Sequence, residues 1–314
     1  GLNPIQDFLS ICSFVKLFRE VRPEVVLSYT IKPVIYGSIA AALAHVNTIS
    51  SMITGLGSTF SRETLLQRLL GVVVNLLYRL GLCRNRVVFF QNPDDLAFFL
   101  EQGLVKENNQ PTLINGSGVD LNHYKVLPLP QNLSFLMVGR LIRDKGVREY
   151  VVAARIVKRD YPDVTFMLAG RMDDNFMAIK KEELDGWVHD GVIEYLGSVP
   201  DIRTVCENAS VCVLPSYREG TPRSVLEAMA MGRPIITTDV PGCRETVHEG
   251  CNGFLVPSRD PVALAEAIKR FIRQPDLVPT LGSASRHIAE QKYDVRDVNR
   301  VILGKLELLQ EVLT

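Results

Sequence analysis

Val211-Cys212-Val213-Leu214-Pro215-Ser216-Tyr217-Arg218-Glu219-Gly220-Thr221-Pro222-Arg223-Ser224-Val225-Leu226-Glu227-Ala228 is the stretch that decides how this chain is read. Its first four residues form an apolar run of the kind buried on both faces of a sheet, and Pro215 ends that run. Thr221 suits an N-cap and Pro222 the first helical position, so a helix is expected to begin there. Glu219 then lies in the loop just before the helix, and Glu227 about two turns inside it. The first backbone N–H groups of a helix have no intrahelical partner and bind phosphate. Carboxylates accept hydrogen bonds from hydroxyls. The expected ligand therefore carries both phosphates and sugar hydroxyls. A capped surface helix with scattered acids fits the same residues.

Outward from this stretch, strands and helices alternate. Strands are expected at 133–138, 164–169, 193–196, 235–238 and 254–256. Helices are expected near 146–160, 175–189, 201–208, 261–273 and 277–290. Such alternation implies a parallel, doubly wound sheet, with ligands at the carboxyl ends of its strands. Before it, a helix over 5–22 leads to strands at 25–29, 48–53 and 87–90. Between these come a small-residue helix, Tyr36 to His45, and an apolar-faced helix, Glu63 to Leu80. Thr54-Gly55-Leu56-Gly57-Ser58 is a glycine-bearing turn, which also fits a plain loop. Asn115-Gly116-Ser117-Gly118 and the proline-bearing stretch Leu127 to Pro130 bracket a boundary. The expected division is 1–125, 126–292 and a final helix within 293–314 that returns to the first domain.

The 314 residues carry 35 Lys and Arg against 35 Asp and Glu, a balance that excludes a global pull toward nucleic acid. The charge is uneven, however: nine basic against four acidic residues lie in 1–90, an excess of +5. A basic first part fits an anionic surface, and the helix Glu63 to Leu80 fits either a membrane surface or its own sheet. No apolar run is long enough to span a bilayer. The six cysteines form no CxxC pair, which reads as a reducing, cytosolic compartment without structural zinc.

Gly139-Arg140-Leu141-Ile142-Arg143-Asp144-Lys145-Gly146 follows the strand at 133–138. Arg140 offers a bidentate fork and Lys145 a compact ammonium, a pair suited to a diphosphate. A charged loop pairing with nearby acids is the alternative. Pro241-Gly242-Cys243-Arg244-Glu245 follows the next strand on. There Gly242 would let backbone approach a ligand, and Glu245 would either orient Arg140 or Lys145 or belong to a capped helix start. No Asp-x-Asp occurs and the five histidines have no ligand spacing, so no metal is expected.

These residues resemble the retaining glycosyltransferases of family 4, whose signature is a Glu, seven residues, then a Glu. Glu219 and Glu227 fit it within Pro215-Ser216-Tyr217-Arg218-Glu219-Gly220, and Gly139-Arg140 to Lys145-Gly146 matches as well. Asn3-Pro4, Lys32, Tyr36-Gly37, Ala40-Ala41 and Gly55-Leu56-Gly57 are similar to the bacterial branch acting on undecaprenyl-diphosphate-linked glycans, N-acetylgalactosaminyltransferases among them. The resemblance implies an α/β fold of the GT-B type, with two Rossmann-like domains facing across a cleft. It also implies that the first domain is incomplete here, lacking its first strand and a Gly-rich loop. Many relatives carry a His in the acceptor-side loop, whereas Tyr29-Thr30-Ile31-Lys32 has none.

The implied activity is transfer of a hexose or N-acetylhexosamine from a UDP-sugar to a lipid-linked or polysaccharide acceptor in bacterial surface-glycan synthesis. The implied catalytic residues are Glu219, Arg140 and Lys145. The donor is expected on Arg140, Lys145, Glu219, Gly220, Thr221, Ser224, Val225 and Glu227, and the acceptor near Lys32, Gly55 and Gly57. No cofactor is implied beyond the donor itself. The implied location is cytoplasmic, with peripheral contact at the inner membrane face. A UDP-N-acetylhexosamine epimerase on the same fold and a non-catalytic nucleotide-sugar-binding protein are the alternatives.

Overall fold

In the computed structural model, which describes residues 4–56 and 65–308, the apolar runs form two wholly parallel sheets in two units. One unit comprises residues up to Ser117 together with those from Asp297 on. The other is Gly118–Arg296. The α/β class and the two Rossmann-like sheets expected from the sequence are thus present.

The first unit holds β1 (Val25–Tyr29), β2 (Thr48–Ile53), β3 (Val87–Phe90) and β4 (Pro111–Leu113), paired in that order. Successive side chains of a strand face opposite sides. Val88 and Phe90 accordingly pack with Tyr78, Phe99 and Leu82, whereas Val87 and Phe89 pack on the other face with Ile114, Val298, Ile302 and Leu306. The helices α1 (Pro4–Val21), α2 (Ser38–Leu43), α3 (Leu65–Leu82) and α4 (Pro93–Glu101) complete the unit, with most of the last helix, Val295–Lys305. The helix expected at Tyr36–His45 differs. A π-helical turn over Pro33–Gly37 precedes α2, and helix ends at Leu43. Gly37 packs so tightly there that a Cβ would lie 2.8 Å from Ser28 Oγ.

The second unit holds β5 (Ser134–Val138), β6 (Thr165–Ala169), β7 (Glu194–Tyr195), β8 (Val211–Leu214), β9 (Ile235–Thr238) and β10 (Gly253–Val256). Their order across the sheet is β10-β9-β8-β5-β6-β7. The chain winds outward from β5 to β7, then starts again beside β5 with β8 and winds the other way. The switch point therefore lies between β5 and β8, paired through Phe135 with Val211 and Leu136 with Cys212. Doubly wound sheets bind ligands outside the carboxyl ends of the strands at such a point. All four residues of β8 and of β9 are buried, as a sheet covered on both faces requires.

Two helical expectations need correcting here. The helix expected over 175–189 is confined to α6 (Lys181–His189) and that expected over 201–208 to α7 (Arg203–Cys206), while α5 (Val147–Asp160) forms where it is expected. In the segment before α6, Asp173 Oδ1 accepts from the Asn175 N–H (3.3 Å) and Asn175 Oδ1 from the Met177 N–H (2.8 Å). Side chains that bond their own backbone in this way compete with helix formation.

Candidate donor site at the switch point

Three turns converge beyond the strand ends of the second unit. The turn after β5 carries Arg140 and Lys145, the loop after β8 carries Ser216 to Thr221, and the turn after β9 carries Pro241 and Gly242. Backbone bonds tie them together. The Tyr217 N–H donates to the Asp144 carbonyl (2.8 Å) and the Glu219 N–H to the Pro241 carbonyl (3.0 Å). Gly146 closes the first turn at φ 73, where a Cβ would lie 2.0 Å from the Pro215 carbonyl oxygen, so only glycine fits.

Within this frame Glu219 is fixed by two donors on one oxygen. Lys145 Nζ lies 2.5 Å and Ser216 Oγ 2.7 Å from Oε1. Ser216 is wholly buried, and the Glu219 side chain is 13% exposed. Lys145 has three N–H donors, so pairing with Glu219 leaves it able to meet a phosphate oxygen. Arg140 is more open, its side chain 51% exposed, and donates to Asp173 Oδ2 at 3.2 Å.

The helix that follows, α8 (Arg223–Ala230), starts later than the sequence suggests. Pro222, not Thr221, is the N-cap, with extended backbone (φ −72, ψ 111), and no side chain caps it. A proline disfavours helical backbone at the residue before it, which keeps Thr221 out of the helix. Glu227 consequently sits little more than one turn inside, not two. Val225 N–H bonds the Pro222 carbonyl, and Ser224 Oγ donates to the Val138 carbonyl (3.2 Å), pinning the helix start to the end of β5. Glu227 is buried, and its Oε1 accepts from Arg223 Nε (2.8 Å) and from the Tyr124 hydroxyl (2.9 Å).

Gly242 packs against a neighbouring loop. Its φ is 83, and a Cβ would lie 2.3 Å from the Glu219 carbonyl oxygen and 2.4 Å from that of Gly220. The close approach is to the Glu219 loop. Glu245 lies in a short 3-10 turn, Arg244–Thr246, and its carbonyl accepts from Lys292 Nζ and the Tyr293 hydroxyl. The neighbouring Cys243 is fully buried, and burial together with the Glu219 charge pushes its thiol up to about 12. A thiol so perturbed is no nucleophile at neutral pH. Among the described residues, no group of three or more His, Cys, Asp or Glu is placed to hold a metal ion.

The residues singled out in the first unit lie apart from this cluster in the chain and follow adjacent strands. Lys32 comes after β1 and donates to Asp7 Oδ1 (2.8 Å), a contact that holds the Asp7 carboxyl below its usual range. Gly55 comes after β2 with φ 106. Gly57 and Ser58 lie outside the described residues. Sequence reasoning missed Tyr124, Asp173 and Ser216. Ser216 lay inside the signature stretch, three residues before Glu219. The other two are remote in sequence from the groups they touch, and nothing local marks them.

Two Rossmann-like sheets, the second doubly wound with cations and carboxylates gathered at its switch point, are those of a GT-B fold, and this chain is a glycosyltransferase. Residues 132–274 match the family of glycosyl transferases group 1, so the chain carries that domain. It is 27% identical over 308 residues to the N,N'-diacetylbacillosaminyl-diphospho-undecaprenol alpha-1,3-N-acetylgalactosaminyltransferase of Campylobacter jejuni, covering 94% of this chain and 79% of that one. It is 28% identical to the UDP-Gal:alpha-D-GlcNAc-diphosphoundecaprenol alpha-1,3-galactosyltransferase of Escherichia coli, covering 86% of this chain and 72% of that one. Among solved structures, Anabaena HepE in complex with UDP superposes with a TM-score of 0.77 at 22% identity, covering 95% of this chain and 82% of that one.

Proposed function

We propose that this glycosyltransferase moves a hexose or N-acetylhexosamine from a UDP-sugar to a lipid-linked or polysaccharide acceptor, with retained anomeric configuration, in bacterial surface-glycan synthesis. The observation that carries the reading is the placement of Lys145, Glu219 and the start of α8 around one switch point. Bond breaking builds negative charge on the departing diphosphate. Arg140, Lys145 and the backbone from Gly220 through Thr221 to Ser224 and Val225 meet that charge. Glu219 binds the donor sugar's hydroxyls and Glu227 those of the ribose. Relatives that act on undecaprenyl-diphosphate-linked sugars support the lipid-linked acceptor. Lys32 and the Gly55–Gly57 turn are proposed for the acceptor side.

The test is transfer from UDP-sugars to a lipid extract, followed by mass spectrometry. Glu219→Ala and Arg140→Ala should each lower turnover by about 10²-fold or more, the usual cost of losing a charged transition-state contact. Unchanged turnover in both variants removes the assignment. NMR of the product's anomeric proton decides retention.

We also propose peripheral contact with an anionic membrane. No helix among the described residues is long and apolar enough to cross a bilayer. The observation behind the proposal is a set of exposed apolar side chains on two helices of the first unit: Ile5, Phe8 and Leu9 on α1, and Val72, Val73 and Leu76 on α3. The basic residues Lys16, Arg19 and Arg79 stand exposed on the same helices.

A further inference from the structure

The proposed ribose contact rests on a carboxylate that a single helix turn does not hold by itself. Glu227 and Arg223 lie four residues apart on α8, but the Arg223 side chain is 74% exposed. The second donor on Glu227 Oε1 comes from 103 residues away, the Tyr124 hydroxyl. Its segment is well fixed. The Tyr124 N–H donates to the Asp120 carbonyl at 2.8 Å. Its carbonyl accepts from Arg286 Nη1 at 2.9 Å, and the same nitrogen reaches the Ala230 carbonyl, at the end of α8, at 2.8 Å. Arg286 thus ties the Tyr124 segment to the helix that carries Glu227. The Tyr124 ring also packs against both apolar clusters of this unit.

From this geometry we infer that Tyr124 is a positioning residue for donor binding, pinning Glu227 through Oε1 so that Oε2 is presented to the ribose hydroxyls. Both side-chain contacts to Glu227 fall on Oε1. A carboxylate oxygen that already accepts two hydrogen bonds has little capacity left, so a ligand hydroxyl goes to the other. The phenol is well chosen for this. It donates a hydrogen bond without adding a charge that would compete with Arg140 and Lys145 for the diphosphate. Burial, with Glu227 as acceptor, raises its pKa, so it stays a donor across neutral pH.

The inference rests on the reading that Glu227 meets the ribose, and one experiment separates the two. Calorimetry measures Kd for UDP and for 2′,3′-dideoxy-UDP, which lacks both ribose hydroxyls, on the wild type, Glu227→Gln and Tyr124→Phe. The ratio of the dideoxy-UDP constant to the UDP constant reports the ribose contact alone. Glu227→Gln should lower that ratio about tenfold or more, since a charge-assisted acceptor is lost. Tyr124→Phe should lower it about three- to tenfold, the range of one hydrogen bond's net contribution, and leave dideoxy-UDP binding unchanged. If Glu227→Gln lowers the ratio and Tyr124→Phe does not, the positioning role is wrong and the ribose reading stands. If Glu227→Gln leaves the ratio unchanged, the ribose reading is wrong and the role of Tyr124 goes with it. A variant that merely loosens the fold weakens both ligands equally, which also counts against the inference.

Discussion

Gly242 stands with its Cα so close to Glu219 that a Cβ would lie 2.3 Å from the Glu219 carbonyl oxygen, although the two residues follow different strands. Strand β8 delivers Glu219 and strand β9 delivers Gly242. Their parallel pairing brings the two turns to one edge. The carboxylate most central to the proposed chemistry therefore owes its height above the sheet to a missing side chain on the neighbouring turn.

Gly242→Ala should consequently lower turnover more than tenfold, because a 1 Å displacement of a positioning group is enough for such losses. Gly250→Ala is the control. Gly250 has a similar φ of 73 but nothing within 4 Å of an added Cβ. It should lower Tm by about 2–4 °C through backbone strain alone and leave turnover near the wild-type value. Steady-state kinetics and thermal melts on the two variants make the comparison. Equal turnover in both would mean that the Glu219 loop moves freely.

The strands were legible in the sequence because parallel strands buried on both faces are near-continuous apolar runs. Val87–Phe90, Val211–Leu214 and Ile235–Thr238 read directly. The juxtaposition of Lys145 with Glu219 follows from the βα alternation, since a strand order that switches beside β5 must set its turn against that of β8. Local chemistry was less legible. Thr221 reads as a cap by residue type, yet Pro222 takes that position, and the Asn175 segment reads as helix although its own side chains bind its backbone. Tyr124 could not be read at all. Its partner is 103 residues away, and only the packing of a loop onto α8 brings them together.

Arg140 pairs with Asp173, a partly exposed contact of 3.2 Å. A carboxylate beside the proposed diphosphate site competes for the guanidinium and repels the ligand. An exposed pair of this type adds little to stability, about 0–1 kcal/mol. Asp173→Asn should therefore leave Tm almost unchanged and tighten UDP binding about two- to fivefold at low salt, an advantage that shrinks as added salt screens it. Calorimetry at two ionic strengths tests this. Weaker UDP binding would mean that Asp173 positions Arg140 instead of competing for it.

Arg148, in the first turn of α5, holds Glu183 of α6 through two bonds, Nε to Oε1 at 2.7 Å and Nη2 to Oε2 at 2.9 Å. These hydrogen bonds keep the Glu183 carboxyl below its ordinary 4.5. A depressed carboxyl binds its proton more readily in the unfolded chain. Its contribution is thus complete above the unfolded value and disappears as pH falls through the lower folded one. Both side chains are partly exposed, at 42% and 28%, so the contribution at neutral pH is about 0.5–1 kcal/mol. Glu183→Gln should lower Tm by about 1–3 °C at pH 7, where Gln retains only a neutral acceptor for the guanidinium. Melting curves recorded from pH 7 downward should show the wild-type advantage constant at first, then narrowing below 4.5 and closing once Glu183 is protonated in the folded protein. An advantage that persisted in strong acid would show that packing of Glu183 against α5, and not its charge, joins the two helices beside the Lys145 turn.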